Sequence, residues 1–259
     1  YKFMSQMKVK VKPFSIPNGY IPSQAEVIRY SKIWIGSGAD IIENALNKIF
    51  FDLCPYNKEI EDVLLKCSTL NNFYSTNIYD ILKMSVHIRN IHNIDSRLKH
   101  YDADLVNEIA KVDENHTFYS FATKFCSHHN PKDYAIYDSY VERTLLHFQK
   151  RDNFYGHRLK QSDLRDYSIF RNVLLKFCEY YGINCQSNMK EIDKYLWQLG
   201  KKYFSPYPIA RTNEMISYLK NHGITLEQDT TDNNLFQTQE LMLREAREVI
   251  SLAKIDHCS

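Results

Sequence analysis

Apolar residues recur at intervals of three and four through most of the chain, which is the spacing of α-helices that bury one face. Short polar or proline-containing stretches separate the segments that show this spacing. The pattern predicts helices that begin at Ser23 and at Thr76, and further helices over 39–51, 58–67, 103–112, 118–129, 138–148, 167–181, 189–203 and 235–255.

Several stretches interrupt the helical pattern. Residues 8–12 alternate charged and apolar side chains, which predicts a short strand with one solvated edge. Residues 68–75 are polar and predict a break, whereas 134–137 predict a brief extended link. Residues 150–166 carry a local excess of Lys and Arg and predict a basic loop.

The composition agrees with a mostly helical protein. The 259 residues include 7 Gly, well under half of what an average usage of about 7% would give. That scarcity argues against glycine-punctuated barrels and against glycine-rich phosphate loops. Lys and Arg number 33 and Asp and Glu number 31, a net charge of +2, so any basic face for nucleic acid has to be local.

Cysteine and histidine spacing indicates no metal centre, because the 6 Cys never form C-x-x-C and give no zinc or iron–sulfur pattern with the 10 His. The sequence has no run of about 18 apolar residues and no signal-like apolar core near its N-terminus. We therefore expect a soluble, cytoplasmic protein with no membrane partner. The apolar stripe of 235–255 lacks three or four clean heptads, so we expect a monomer rather than a dimer.

Asp138 stands at the head of a predicted helix, where Asp is a preferred N-cap, and this position alone indicates no more than a cap. The order of elements around it is more specific. A helix from Ala103, a polar turn, the helix with Ser120-Phe121-Ala122-Thr123-Lys124-Phe125-Cys126 and an extended link lead to Ile136-Tyr137-Asp138-Ser139-Tyr140-Val141. This order resembles the helix-hairpin-helix DNA glycosylases, and especially their 8-oxoguanine DNA glycosylase-like branch.

The resemblance covers residues 39–203 and implies an all-α, two-lobed glycosylase fold. Residues 1–38 would then be an N-terminal extension with a short extended segment, and 204–259 a C-terminal helical addition. In that family the Asp reached through the extended link is the catalytic carboxylate, and Asp138 occupies the matching position. The resemblance thus implies hydrolysis of an N-glycosidic bond by Asp138 without metal or organic cofactor.

The resemblance also implies a wedge that fills the gap left by a flipped base. In the family this side chain comes from the loop that corresponds to Leu70–Ile78, which makes Asn72 the first candidate, followed by Asn71 and Phe73. An Asn-Asn pair before a helix is equally typical of a turn or a cap, so both interpretations stand.

Two departures from the family change what is expected. The chain has no Gly between Gly38 and Gly156, so the hairpin lacks the family's Gly-x-Gly grip on a DNA phosphate. The N-terminus of the helix that begins near Phe118, with Lys124 one turn on, is expected to hold a phosphate instead. Further candidate DNA contacts are His128, Arg158 and Lys160.

The second departure concerns the nucleophile. Family members that also cut the strand keep a Lys at the head of the second hairpin helix, where this chain has Tyr119-Ser120, so we expect no strand cleavage. Three aromatic residues near the motif are candidates for the base pocket, although aromatic residues at helical spacing more often form a core. These candidates are Tyr119, Tyr137 and Tyr140, and Trp197 is expected in the core.

We therefore predict a monofunctional DNA glycosylase that acts on a modified base in double-stranded DNA. The branch that the chain resembles includes prokaryotic defence proteins that remove glucosylated hydroxymethylcytosine from phage DNA. One alternative is an oxidised-purine repair enzyme that acts on 8-oxoguanine. Another is a DNA-binding or interaction module of the same fold without chemistry, and a carboxylate in an open, aromatic-lined cleft would favour the enzyme over it.

Overall fold

The computed structural model describes residues 15–35, 39–185 and 188–205. Within these ranges the chain forms ten α-helices: α1 (Gln24–Ile35), α2 (Ala39–Asn47), α3 (Ile60–Tyr74), α4 (Ile81–Arg89), α5 (Ile94–Lys99), α6 (Ala103–Ala110), α7 (Tyr119–His129), α8 (Ser139–Asp152), α9 (Tyr167–Tyr181) and α10 (Met189–Phe204). A π-helical segment, Lys48–Leu53, continues α2, and a 3-10 turn, Asp163–Arg165, precedes α9. The described residues contain no β-strand, which confirms the all-α prediction.

Short polar side chains fix the starts of six of these ten helices, and the first is Ser23, whose Oγ accepts the Glu26 N–H at 3.3 Å in the first turn of α1. Asp80, Asp102, Asp138, Asp166 and Asn188 each accept a hydrogen bond from a backbone N–H in the first turn of α4, α6, α8, α9 and α10, respectively. Such caps satisfy N–H groups that a helix leaves without a partner. The predicted starts of α6 to α10 are confirmed to within one residue, since caps and apolar spacing are both readable in the sequence.

Two predicted boundaries are wrong. Residues 68–75 do not interrupt the helix, because α3 continues to Tyr74. The next helix begins at Ile81 and not at Thr76. Leu70 is fully buried and Phe73 packs against the core, so tertiary packing outweighs the polar composition of the segment. Helix α5 forms where no helix is predicted. The strand predicted at 8–12 and the helix at 235–255 lie outside the described residues.

The helices pack around one cluster of buried apolar side chains. Helix α3 packs against α4 and α7, α6 packs against α7 and α9, and α10 packs against α1 and α8. An isolated β-bridge between Lys111 and Thr117 closes the polar turn from α6 to α7. None of the helices in the described ranges is long and apolar enough to cross a lipid bilayer.

Helices α8 and α10 approach each other most closely at Gly200. A Cβ atom at Gly200 would lie 2.5 Å from the carbonyl oxygen of Tyr140 and 2.6 Å from Thr144 Oγ1. The Thr144 hydroxyl donates to the carbonyl oxygens of Tyr140 at 2.7 Å and, across the interface, of Leu196 at 3.2 Å. Only glycine allows this spacing, which holds the first turns of α8 beside α10.

We expect Gly200→Ala to lower the free energy of unfolding by about 1–3 kcal/mol, because the new methyl group meets backbone that cannot yield. This loss opposes a gain in helix propensity of about 1 kcal/mol for Ala over Gly. Gly19→Ala is the matched control, since a Cβ atom there meets nothing within 4 Å. Urea unfolding curves of the wild type and both variants measure these free energies. A Gly200→Ala variant as stable as Gly19→Ala would contradict the close approach of α8 and α10.

Candidate functional site

An extended link, residues 134–138, joins α7 to α8, and none of the residues that the structure describes forms a strand beside it. Side chains from neighbouring helices satisfy its backbone instead. The Ala135 N–H donates to the Tyr167 hydroxyl (2.8 Å), which donates back to the Ala135 carbonyl (3.1 Å). The Ile136 N–H donates to Asp193 Oδ2 (2.6 Å) and the Tyr137 N–H to Thr123 Oγ1 (3.1 Å).

These hydrogen bonds place Asp138 at the start of α8. Its Oδ1 accepts a hydrogen bond from the Tyr140 N–H at 2.8 Å, which fixes the side chain as the N-cap. Within the described part of the chain, Oδ2 makes no hydrogen bond to protein. Asp138 is half-buried and lines a cleft, so one carboxylate oxygen is structural and the other is available to a ligand.

The cleft lies between α1, α2 and α10 on one side and the link and α8 on the other. The space that a water-sized group can occupy in it is about 70 Å³, which is below the roughly 300–1,000 Å³ range of small-molecule sites. Its apolar lining consists of Trp34, Ala39, Ile42, Ile136, Val141 and Trp197. Its polar lining consists of Glu43, Tyr74, Lys124, Asp138, Lys190, Asp193 and Lys194.

Two tryptophans and a cluster of three charged residues, Glu43, Lys190 and Lys194, form another part of the cleft wall. The rings of Trp34 and Trp197 meet edge to face at 5.8 Å. Glu43 lies 3.1 Å from Lys190 Nζ and 2.8 Å from Lys194 Nζ, and it accepts the Trp34 indole N–H at 2.9 Å. The two lysines hold the pKa of Glu43 below its usual range despite its burial, so this wall carries a carboxylate between two amines.

Asp193 is a second carboxyl group in the cleft, in a different environment from Asp138. It is 4% exposed, and among the described residues no cation lies within 4.0 Å of it. Burial raises its pKa well above the usual range, although Lys190 and Lys194 on α10 act in the other direction. Glu43 on α2 acts with burial to raise the pKa further. Asp193 is therefore a candidate neutral acid in the same cleft as a carboxylate.

Lys124 points into the cleft and not onto the surface. It is 4% exposed, donates to Ser120 Oγ at 2.6 Å and lies 5.2 Å from the centre of the Tyr74 ring. The expected contact with a backbone phosphate at the start of α7 does not fit this burial. The α7 helix turns the Lys124 side chain inward because it follows the buried face of Phe121 and Phe125.

Three other predicted contacts are buried away from solvent or from the cleft. His128 is 1% exposed and lies between Tyr74, whose hydroxyl is 2.9 Å from Nε2, and Lys190, whose amine is 3.4 Å from Nδ1. Burial lowers its pKa well below the usual range. Tyr119 and Tyr137 are buried against each other at 4.9 Å outside the cleft lining, so they belong to the core.

Tyr140 and Trp197 exchange their expected places. Tyr140 is not among the residues that line the cleft, and its ring packs edge to face against Trp197 at 6.4 Å. Trp197, expected in the core, forms part of the cleft wall. The Trp197 ring faces the cleft because it lies one turn after Asp193 and Lys194 on the same face of α10.

The predicted wedge lies at the end of α3 and in the turn that follows it. Asn71 is committed to that turn, since its Oδ1 accepts from the Ile78 N–H at 2.9 Å and from Thr76 Oγ1 at 2.8 Å. Asn72 is half-buried in the last turn of α3, and Phe73 packs against the core. Tyr79, which the sequence did not single out, is 99% exposed at the tip of this turn.

Arg158 and Lys160 are exposed on the predicted basic loop between α8 and α9, where they are free to meet a large ligand. The residues that sequence reasoning missed are Trp34, Glu43, Lys190, Asp193 and Lys194. Four positions of α10 (190, 193, 194 and 197) share one helical face, and that polar and aromatic stripe was the available signal. No group of three or more His, Cys, Asp or Glu within the described residues could hold a metal ion.

We expect Asp193→Asn to make stability less sensitive to pH. The folded protein holds the Asp193 proton more tightly than the unfolded chain, so the resulting stabilisation is complete below about pH 4, near the ordinary Asp pKa, and is lost as pH rises toward the raised folded pKa. Asparagine keeps an oxygen for the Ile136 N–H without this loss. The measurement is the unfolding temperature of the wild type and of Asp193→Asn at pH 5 and pH 8. Asp104→Asn, at an exposed position, is the control. A wild-type-like decline in Asp193→Asn would contradict a raised pKa.

Comparison with known proteins finds a family model and a relative, and neither description states an activity. A family model, HI_0787_N, described as an N-terminal domain, matches residues 29–133, a range that ends before the extended link and Asp138. An uncharacterized protein of Haemophilus influenzae is 47% identical over 148 residues, which are 56% of this chain and 69% of the relative. No solved structure matches the chain. The chain belongs to the family of this Haemophilus influenzae protein.

Proposed function

We propose that the protein is a DNA N-glycosylase that flips a modified base into the cleft and hydrolyses its bond to the sugar. The observation that carries the proposal is the position of Asp138, a carboxylate with one uncommitted oxygen at the edge of an open, tryptophan-lined cleft. A helix cap without function would need no cleft beside it. The two-lobed glycosylase arrangement over 39–203 is part of this proposal.

The chemistry needs a single carboxylate near the anomeric carbon. As the N-glycosidic bond breaks, positive charge develops on the sugar, and a fixed carboxylate stabilises it and orients or deprotonates the attacking water. The Tyr140 N–H holds Asp138 in place, so little reorganisation is needed during the reaction. The apolar side chains Ile136 and Val141 exclude water next to it, which strengthens the electrostatic effect.

The proposal includes hydrolysis without strand cleavage. Lys124 is the amine in the cleft that lies on the hairpin, yet its contacts with the Ser120 hydroxyl and the Tyr74 ring suit an ammonium ion. Attack on the sugar requires a neutral amine, which would have to leave these contacts. The expected product is therefore an intact strand with an abasic site.

The substrate is proposed to be double-stranded DNA with a modified base. From the resemblance, the finer proposal is glucosylated hydroxymethylcytosine in phage DNA, handled by a cytoplasmic monomer, and the alternative is 8-oxoguanine. DNA would lie across the cleft mouth with Tyr79 inserted into the gap of the flipped base and with Arg158 and Lys160 near the backbone.

We expect Asp138→Asn to slow base release at least about 100-fold while leaving the unfolding temperature nearly unchanged, because Asn caps a helix as well as Asp but carries no charge. The measurement is mass spectrometry of bases released from duplexes that carry 8-oxoguanine, uracil, hydroxymethylcytosine or its glucosylated form. Asp166→Asn is the matched control, since Asp166 caps α9 in the same way but lies outside the cleft lining.

Retained turnover in Asp138→Asn would remove the catalytic assignment, and absence of release from every duplex by the wild type would favour the binding module. The same reactions run on a gel with and without alkali report the fate of the strand. Breaks are expected only after alkali. Breaks without alkali, together with a borohydride-trapped adduct that Lys124→Met abolishes, would show that Lys124 attacks the sugar.

We expect Tyr79→Ala to slow release from duplex DNA about tenfold and from single-stranded DNA less than about twofold. Stacking of an aromatic ring on a base contributes roughly 1–3 kcal/mol, and only the duplex has a gap to fill. Tyr180→Ala is the control, because Tyr180 is an exposed tyrosine on α9. Equal losses on both substrates would place Tyr79 outside the DNA contact.

A further inference from the structure

The lysine side of the cleft offers more hydrogen-bond donors than acceptors. Lys194 Nζ contacts Glu43 at 2.8 Å and Glu191 at 3.0 Å, and Lys190 Nζ contacts Glu43 at 3.1 Å and His128 Nδ1 at 3.4 Å. An ammonium group has three N–H donors, so each amine keeps one N–H that meets no nitrogen or oxygen acceptor in the described part of the chain, and Lys194 Nζ lies 5.3 Å from the centre of the Trp34 ring. Both residues line the cleft, and the spare donors are therefore available to a ligand.

The acceptor nearest to these donors is already occupied. The Glu43 carboxylate receives Lys190, Lys194 and the indole N–H of Trp34, which use most of its lone pairs. Asp193, buried and without a cation within 4.0 Å among the described residues, adds a carboxyl group that can itself donate. A ligand group that must donate hydrogen bonds would find few partners on this wall.

The rest of the cleft suits a flat ring. Trp34 and Trp197 meet edge to face at 5.8 Å, and Ile42 and Val141 complete an apolar lining. Such surroundings bury the faces of a nucleobase and leave its edge to polar contacts. Apolar contacts would thus hold the faces of the ring, and the lysines would donate hydrogen bonds to its edge.

We propose that Lys194, with Lys190 beside it, selects bases that present an oxygen acceptor, either an exocyclic carbonyl or a hydroxyl on a substituent, and rejects bases that present an amino group in its place. The inference rests on the proposed function for the identity of the ligand as a base. A carbonyl oxygen accepts the spare N–H of Lys194, whereas an amino group leaves both donors unpaired. A buried donor without a partner costs about 1–3 kcal/mol, or roughly tenfold or more in affinity.

The two tryptophans make a direct binding test practical. They are the 2 Trp of the whole chain and both line the cleft, so 5-fluorotryptophan gives two ¹⁹F resonances that report on this site alone. Trp34→Phe and Trp197→Phe assign them. The probes are nucleosides in matched pairs, inosine against adenosine and 5-hydroxymethylcytidine against cytidine, each titrated into the full chain.

We expect inosine to shift both resonances with an affinity at least about tenfold higher than adenosine, and 5-hydroxymethylcytidine to bind more tightly than cytidine. Lys194→Met keeps an unbranched side chain of nearly the same length but removes the amine, and it should abolish both differences. Lys176→Met is the matched control, since Lys176 makes the same kind of pair with Glu179 three residues away on α9. It should leave the differences intact.

Equal affinities within each pair, discrimination that survives in Lys194→Met, or no shift with any nucleoside would each overturn the inference. The test uses no base release, so its failure is separable from that of the proposed function. Base release from DNA without discrimination between nucleosides would leave the glycosylase and remove the role of Lys194. If the protein discriminates between the nucleosides but releases no base from any duplex, the selection of oxygen acceptors by Lys194 stands and the proposed hydrolysis is wrong.

Discussion

The ion cluster of Glu43, Lys190 and Lys194 is the interaction on which the cleft depends. It ties α2 to α10, and through the Trp34 indole it also ties α1 to both. Burying three charges carries a desolvation cost that their mutual attraction only partly repays, so a well-packed apolar replacement could be as stable. The contribution of the cluster is therefore geometric, because it holds three helices around a space that an apolar contact would fill.

The extended link imposes the second constraint. A chain segment with buried N–H and C=O groups has to satisfy them, and in the described part of the chain no strand lies beside residues 134–138. Side chains from α7, α9 and α10 do so, and one of them, Asp193, also lines the cleft. Any movement of α10 would thus disturb both the link and the helix start that carries Asp138.

Asp138 and Asp166 show how much the surroundings of a residue matter. Each is an Asp at the start of a helix, and each accepts a hydrogen bond from the backbone of the first turn. Asp166 is not among the residues that line this cleft, whereas Asp138 lines it together with Lys124, Asp193 and two tryptophans. The same local cap therefore supports a chemical hypothesis at only one of the two positions.

The all-α class, the starts of α6 to α10 and the cap at Asp138 were determined by the sequence alone, because they depend on apolar periodicity and on short polar side chains acting over a few residues. The sequence alone did not determine the end of α3 at Tyr74, since the burial of Leu70 outweighs the helix-breaking effect of the polar residues around it.

The cleft was decided only by the tertiary structure. Trp34 and Glu43 lie about 150 residues from Lys190 and Lys194 in the chain, and no local pattern relates them. The inward direction of Lys124 and the burial of Tyr119, Tyr137 and His128 likewise follow from which helix face meets the core. Helical spacing shows that a face is buried, but the neighbours that cover it are chosen by packing.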